Sequence, residues 1–237
     1  MADINTALVT GTSSGIGLAT ARLLLAEGCR VIGISRRGQV ADLDHDNFIP
    51  VSLDLDHLEQ LETRITETIN AHDINYFIHA AGQGHFGSVE QFSTRQIESS
   101  IRVNLVSAMV ICRSLLPVFR RKAQGKIVFI GSESALNAGK KGALYSAAKF
   151  GIRGFSQSLR EDCASDGIQV SLINPGMVRS PFFEKLSFAP GPAPENAITT
   201  DDVAQIIWQI LQSSSDIVLD EINLSPRVKS INFNNHR

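Results

Sequence analysis

Short apolar runs alternate with longer stretches in which apolar side chains recur every three or four positions, and the alternation continues almost to the C-terminus. The short runs, bounded by turn residues, suit buried strands; the three-to-four spacing suits helices with one face on a core. The pattern predicts strands near Ala7–Thr10, Arg30–Ser35, Asn47–Ser52, Tyr76–Ala80, Lys126–Ile130, Gln169–Asn174 and Asp216–Leu224. Between them it predicts helices near Gly15–Glu27, Leu58–Ala71, Ser93–Ala123, Leu144–Asp166 and Thr200–Gln212. Strand and helix in regular alternation imply an α/β fold, a parallel sheet with crossover helices on both faces. Thr200-Asp-Asp offers a cap and an acidic first turn, and Gly125 and Gly167 are placed to end helices in the left-handed conformation.

The segment from Pro181 to Ile198 breaks the pattern with four prolines, Gly191 and three phenylalanines, Phe182, Phe183 and Phe188. Two readings fit it: a mobile flap over a site within residues 177–198, or a surface loop packed by its own aromatics. No repeat or linker divides the chain, so residues 1–237 are expected to form one domain.

Composition narrows the partners. With 237 residues and 43% hydrophobic content the chain can bury a sizeable core, and its net charge of -2 gives no electrostatic footprint for nucleic acid or an anionic membrane. A small-molecule partner is expected. Cys29, Cys112 and Cys163 are widely spaced and form no Cys-x-x-Cys pair, so they read as reduced structural thiols and no metal site is expected. The N-terminus lacks the basic flank and apolar stretch of a signal peptide, and no apolar run approaches the length of a membrane span. A cytoplasmic location is the expectation.

Candidate chemistry begins after the first strand. Gly11, Gly15 and Gly17 join it to the first helix, where small residues let a pyrophosphate approach the free N–H groups of a helix N-terminus. Their spacing is Gly-x-x-x-Gly-x-Gly, not the commoner Gly-x-Gly-x-x-Gly, and a tight turn is the alternative. The second strand ends at Ser35-Arg36-Arg37, where NAD-binding sites usually carry an acid, and no acid appears before Asp42. A guanidinium suits a 2'-phosphate, so Arg36 and Arg37 favour NADP(H) over NAD(H), unless they are solvated loop residues. Asp54, after the third strand, can bond an adenine amino group or cap the helix before Leu58.

Tyr145 and Lys149 lie four residues apart on a predicted helix, hence on one face, thirteen residues after Ser132 at a predicted strand end. Thr10-Gly-x-x-x-Gly-Ile-Gly17, His79-Ala-Ala-Gly82, Asn104, Ser132, Tyr145-x-x-x-Lys149 and Pro175-Gly176 together resemble the short-chain dehydrogenase/reductase family, over the chain from Ala7 to about Ser180. The resemblance implies a Rossmann-like, doubly wound parallel sheet of about seven strands and hydride transfer between a nicotinamide and a carbonyl or alcohol carbon. It also implies roles: Tyr145 as general acid in reduction, Ser132 steadying the substrate oxygen, Lys149 lowering the tyrosine pKa and binding the ribose, and Asn104 positioning a proton-relay water. Cofactor contacts carry over to Gly11, Ser13, Ser14, Gly15, Ile16 and Gly17 in the first turn. Leu55, Ala81 and Gly82 join Asp54 in the middle of the chain. Tyr145, Lys149, Pro175, Gly176, Val178 and Ser180 complete the set, Val178 bonding the carboxamide. An ammonium beside a phenol favours the phenolate, which is the physical basis of the expected pKa drop.

Two departures from the family pattern stand out. His79-Ala replaces the usual pair of amides, with stability expected to feel the change more than chemistry, and Ser180 stands where a threonine is common. The pocket is expected from Gln83–Gly87, Glu133–Lys141 and the segment after Met177, with His85 and Phe86 as candidate substrate contacts. The C-terminal Ile217–Pro226 stretch lacks the Asp-Gly-Gly ending common in 3-oxoacyl-carrier-protein reductases and is more like reductases of 3-hydroxy acids or small carbonyl compounds. A cofactor-sensing binding protein without turnover, and a structural assembly protein, are the alternative classes. Apolar residues on more than one face of the two longest helices, with the resemblance, point to a homodimer or homotetramer.

Overall fold

The structure is a computed structural model, described here for residues 4–233; Met1–Asp3, part of the stretch read for a leader, and Asn234–Arg237 lie outside the described residues. A seven-stranded sheet runs β3-β2-β1-β4-β5-β6-β10, comprising β1 (Thr6–Thr10), β2 (Arg30–Ser35), β3 (Phe48–Ser52), β4 (Ile74–His79), β5 (Gly125–Ile130), β6 (Ile168–Pro175) and β10 (Glu221–Leu224). Every pairing in it is parallel. Helices α1 (Gly15–Ala26) and α6 (Thr200–Gln212) pack on one face, and α2 (Leu58–Ala71), α4 (Ser107–Lys122) and α5 (Ala143–Cys163) on the other.

The strands alternate between these two cores residue by residue. Leu8, Phe77, Ile127, Phe129 and Leu172 join α4 and α5, while Val9, Ile78, Val128 and Ile173 join α1 and α6. This sandwich is why the sequence reads as near-continuous apolar runs at the strands. Between β1 and β4 the strand order reverses, so the connections leaving their C-terminal ends run to opposite faces of the sheet and leave a crevice.

Several expected elements differ in detail. The helix expected over Ser93–Ala123 is α3 (Thr94–Ile101) and α4 joined by a π turn, Arg102–Val106. By length and composition alone, Thr94–Lys122 could cross a membrane, contrary to the expectation that no segment does; its Ile111, Leu115 and Phe119 side chains are buried in the sheet core. The left-handed residue ending α4 is Ala123, at φ 50°, and Gly125 already belongs to β5. Gly125 is small for another reason, since a Cβ there would lie 2.3 Å from the Phe119 ring. Gly167 does take the left-handed conformation. The last sheet strand pairs only from Glu221, not from Asp216.

The proline-rich segment is built of short regular pieces. β7 (Val178–Arg179) pairs with β9 (Ile198–Thr199), and β8 (Phe188–Pro190) pairs antiparallel with β11 (Ile231–Phe233) near the C-terminus. Asn196 donates from Nδ2 to Val228 O at 3.1 Å and accepts at Oδ1 from Ala193 N at 3.2 Å, and Gly191 N donates to Ser230 O at 3.0 Å. Residues 188–196 are thereby stitched to residues 228–233.

Candidate functional site

A cleft of about 770 Å³ runs along the C-terminal strand ends, within the range of small-molecule sites. At one end stands the turn from β1 to α1. Gly11 has φ +78°, and a Cβ on it would lie 2.9 Å from the Ala81 backbone. Gly17 allows no Cβ either, since one would lie 2.4 Å from Gly11 O. The glycines thus pull the turn onto the β4 end and tuck α1 against it. Ser14 caps α1 without a side-chain hydrogen bond, and no acid occupies the first turn, so the helix presents unclaimed N–H groups and positive potential to the cleft.

Arg36 and Asp54 line the cleft from the ends of β2 and β3; Arg37, also expected at the site, is exposed and does not. Neither arginine has an ion-pair partner among the described residues. Asp42, the first acid after β2, is paired with Arg22 at 2.9 Å and is absent from the cleft wall. Asp54 is not the helix cap: His57 takes that place, and Asp54 Oδ1 accepts from Asp56 N at 3.1 Å in a local turn. Leu55, Ala81, Gly82, Pro175, Gly176, Val178 and Ser180 also line the cleft, as expected. Gly17 shapes it from behind.

At the other end Ser132, Tyr145 and Lys149 meet, all more than nine-tenths buried. Tyr145 and Lys149 belong to the same buried stripe of α5 as Ala148, Ile152 and Leu159, so the packing that seats the helix also aims the pair. Ser132 follows β5 and begins a short 3-10 turn; its Oγ accepts from Ser134 N at 3.1 Å, leaving its hydrogen for the Tyr145 phenol. Asn174 Oδ1 accepts from Ser132 N at 3.3 Å, and Asn174 Nδ2 donates to Glu221 Oε1 at 2.9 Å, which itself pairs with Arg153 of α5.

The phenol departs from expectation. Burial pushes the Tyr145 pKa up to about 12, against a downward pull from Ser132. Lys149 does not offset this, because its ammonium donates to Ile130 O at 2.8 Å and stands 5.6 Å from the tyrosine ring centroid. Burial also lowers Lys149 to about 8, which leaves it mostly charged at neutral pH.

Asn104 lies beneath the cleft, not on its wall. Its Oδ1 accepts from Gln83 N at 3.2 Å, and its Nδ2 donates to Gln83 O at 3.0 Å and Ser100 O at 2.9 Å. It sits in the π turn, a local widening of the helix often found at functional sites, and a Cβ on Gly82 would meet its Oδ1 at 2.9 Å. The amide is therefore committed to backbone. His79 replaces a family amide with a similar service: Thr10 Oγ1 accepts from Ala81 N at 3.1 Å and lies 3.2 Å from His79 Nδ1, tying β1 to β4. Burial, with the Lys149 charge, lowers His79 to about 3, so the ring is neutral.

Of the expected substrate contacts, Phe86 lines the cleft and His85 does not; His85 turns back onto Phe92, at 6.1 Å between ring centroids. Sequence reading missed Ile231 and Phe233, which close the cleft from β11. Three residues of strand at the end of a chain carry no periodicity, and only their pairing with β8 gives them a place.

A family model described as short chain dehydrogenase matches residues 5–189. The 3-oxoacyl-acyl-carrier-protein reductase FabG of Buchnera aphidicola is 32% identical over 187 residues, 77% of this chain and 77% of that protein. An uncharacterized oxidoreductase of Staphylococcus haemolyticus is 26% identical over 234 residues, 95% of this chain and all of that one. Among solved structures, ElxO with NADP bound superposes with a TM-score of 0.84 at 19% identity, covering 94% of this chain and 98% of that one. A metagenomic short-chain oxidoreductase in complex with NADP gives a TM-score of 0.79 at 26% identity, covering 95% and 98%.

Proposed function

The chain belongs to the short-chain dehydrogenase family, and from that premise we propose an NADP(H)-dependent oxidoreductase moving a hydride between the nicotinamide and a carbonyl or secondary-alcohol carbon of a small molecule. The observation that carries the reading is the meeting of Ser132, Tyr145 and Lys149 at one end of a cleft whose other end is an uncapped helix N-terminus.

The residues fit the cofactor. The α1 N-terminus can hold a pyrophosphate, the glycine turn leaves room for it, and Arg36 is free to meet a 2'-phosphate because no carboxylate engages it. The related structures with NADP bound support that choice. When bound, the cofactor supplies or accepts the hydride. Tyr145, holding its proton at neutral pH, is suited to donate it to a carbonyl oxygen that gains negative charge as the carbon is reduced. Ser132 donates a hydrogen bond to that same oxygen without carrying charge. Lys149 binds the ribose hydroxyls and lowers the tyrosine pKa once it turns from Ile130 O toward the cleft. In this reading Asn104 holds the π turn and the Gln83 loop beneath Lys149, where a relay water would sit.

The reading further takes the chain as one catalytic domain with residues 177–198 as the substrate flap, assembled as a homodimer or homotetramer. Phe150, 43% exposed on α5, supports assembly. Light scattering that finds only a 25.7 kDa species would contradict it.

The test of function is a spectrophotometric screen of NADPH oxidation against aldehydes, ketones, keto acids, quinones and acyl-thioesters, with NADP reduction against the matching alcohols. Turnover of at least one class is expected. Absence of turnover throughout, with NADPH bound, would favour a cofactor-sensing protein instead.

A further inference from the structure

Four phenylalanines, Phe86 and three from the 177–198 segment, close a circuit of rings with Tyr145. Phe86, in the loop after β4, lies 5.0 Å from the Tyr145 ring and 4.9 Å, edge-on, from Phe188 of β8. Phe188 lies 5.8 Å from Phe183, Phe183 lies 5.1 Å from Phe182, and Phe182 returns to Tyr145 at 5.8 Å. The chain has twelve phenylalanines, so one third of them converge on the residue proposed as proton donor. The sheet cores do not need these four: Phe77, Phe119 and Phe129 fill that role, and the circuit residues are only half-buried and line the cleft. Half-buried apolar rings facing a cleft are surface that an apolar ligand would cover.

Charge sharpens the ligand class. A carboxylate next to the reacting carbonyl would need a cation beside it, and the circuit offers none. Lys149 is taken by Ile130 O or, in the reading above, by the cofactor ribose, and Arg36 is at the far end of the cleft, after β2. Glu133, directly after Ser132, is bridged by Lys229 at 2.8 Å, so that lysine is already paired. Lys140 and Lys141 line the cleft as exposed residues and do not belong to the ring circuit.

We propose that the substrate is an aromatic carbonyl compound without a carboxylate next to the carbonyl, its ring stacked edge-to-face among Phe86, Phe182 and Phe188. The inference rests on the oxidoreductase reading above. In reduction the carbonyl π bond breaks, a hydride from the reduced nicotinamide forms the C–H bond, and the Tyr145 proton forms the O–H bond. The two electrons come from the cofactor, which leaves oxidised. Edge-to-face partners add attraction beyond apolar burial, so an aryl group gains over a saturated one of equal size.

The experiment compares kcat/KM with NADPH for benzaldehyde, cyclohexanecarbaldehyde and a keto acid of similar size, in the wild type and in Phe188→Ala. Saturation-transfer NMR with benzamide, an aryl carbonyl the enzyme does not reduce, reads binding to the same two proteins. Benzaldehyde is expected to exceed both competitors about tenfold, and Phe188→Ala to cut that preference at least threefold and weaken the benzamide signal. A keto acid or cyclohexyl preference would overturn the aromatic substrate while leaving the oxidoreductase reading intact. No turnover of any carbonyl, with benzamide binding that still depends on Phe188, would uphold the aromatic site and overturn the oxidoreductase reading alone. No benzamide binding to either protein overturns the inference.

Discussion

The two ends of the cleft are built on different principles. At the proposed cofactor end, one continuous stretch from Thr10 to Gly17 makes the turn, and its tolerances are set by backbone against backbone: Gly17 against Gly11 O, Gly11 against Ala81. At the substrate end, rings from Phe86, Tyr145, Phe182 and Phe188 come together from three distant parts of the chain, and β8 is fastened there by pairing with β11. Local backbone geometry makes an end with little room for its shape to change. Side chains borne on short, separately anchored elements make an end whose shape can change without disturbing the sheet.

Substitutions that hit only one end test this contrast. The largest effect is expected from Gly17→Val, which drives a branched side chain into the Gly11 carbonyl; NADPH affinity should fall at least a hundredfold by fluorescence titration. Affinity within about threefold of wild type would remove the tight turn from the account. Arg36→Ala also acts on the cofactor end, by deleting a charge-assisted contact of about 1.5–3 kcal/mol. The Km for NADPH should rise about tenfold or more while that for NADH hardly moves, and an unchanged ratio would break the 2'-phosphate assignment.

At the substrate end, Asn196→Ala removes the amide that ties Ala193 to Val228. The carbonyl-substrate KM should rise several-fold with NADPH affinity unchanged, and an equal loss of both would mean that the ends are coupled.

The smallest effect belongs to the seam between the ends, where His79 is neutral and tied to Thr10. Its pKa falls from about 6.5 in the unfolded chain to about 3 when folded. Folding then favours the unprotonated ring, so this contribution is complete above pH 6.5 and is lost as pH falls toward 3, at up to about 1.4 kcal/mol per pH unit. Urea midpoints between pH 6.5 and 5, a window above most carboxylate titration, should drop more steeply in the wild type than in His79→Asn. Identical slopes would clear His79 of any role in acid stability.

The same contrast explains what could be read from the sequence. The sheet was legible because its strands are buried on both faces, and Tyr145 and Lys149 were legible because a helical turn brings neighbours in sequence onto one face. Gly125 was misread because a glycine after a helix has two physical causes, a left-handed cap or a close approach, and only the Phe119 ring shows which operates. The break at Arg102–Val106 leaves no trace in apolar periodicity, since a π turn adds one residue to a helix without ending it. The tyrosine pKa was read from its lysine neighbour, but burial and the hold of Ile130 O on that lysine outweigh sequence proximity. The short strands of the proline-rich segment depend on partners 20 to 45 residues away, and no local pattern carries that information.

The central claim is that Tyr145 delivers the proton at the meeting point of the two ends. It is tested most directly by Tyr145→Phe, which keeps the ring in its aromatic circuit and removes only the hydroxyl. Turnover with the best carbonyl substrate should fall about 10²–10⁴-fold while NADPH affinity stays as in the wild type. A Tyr145→Phe protein that turns over within about twofold of the wild type would contradict the account.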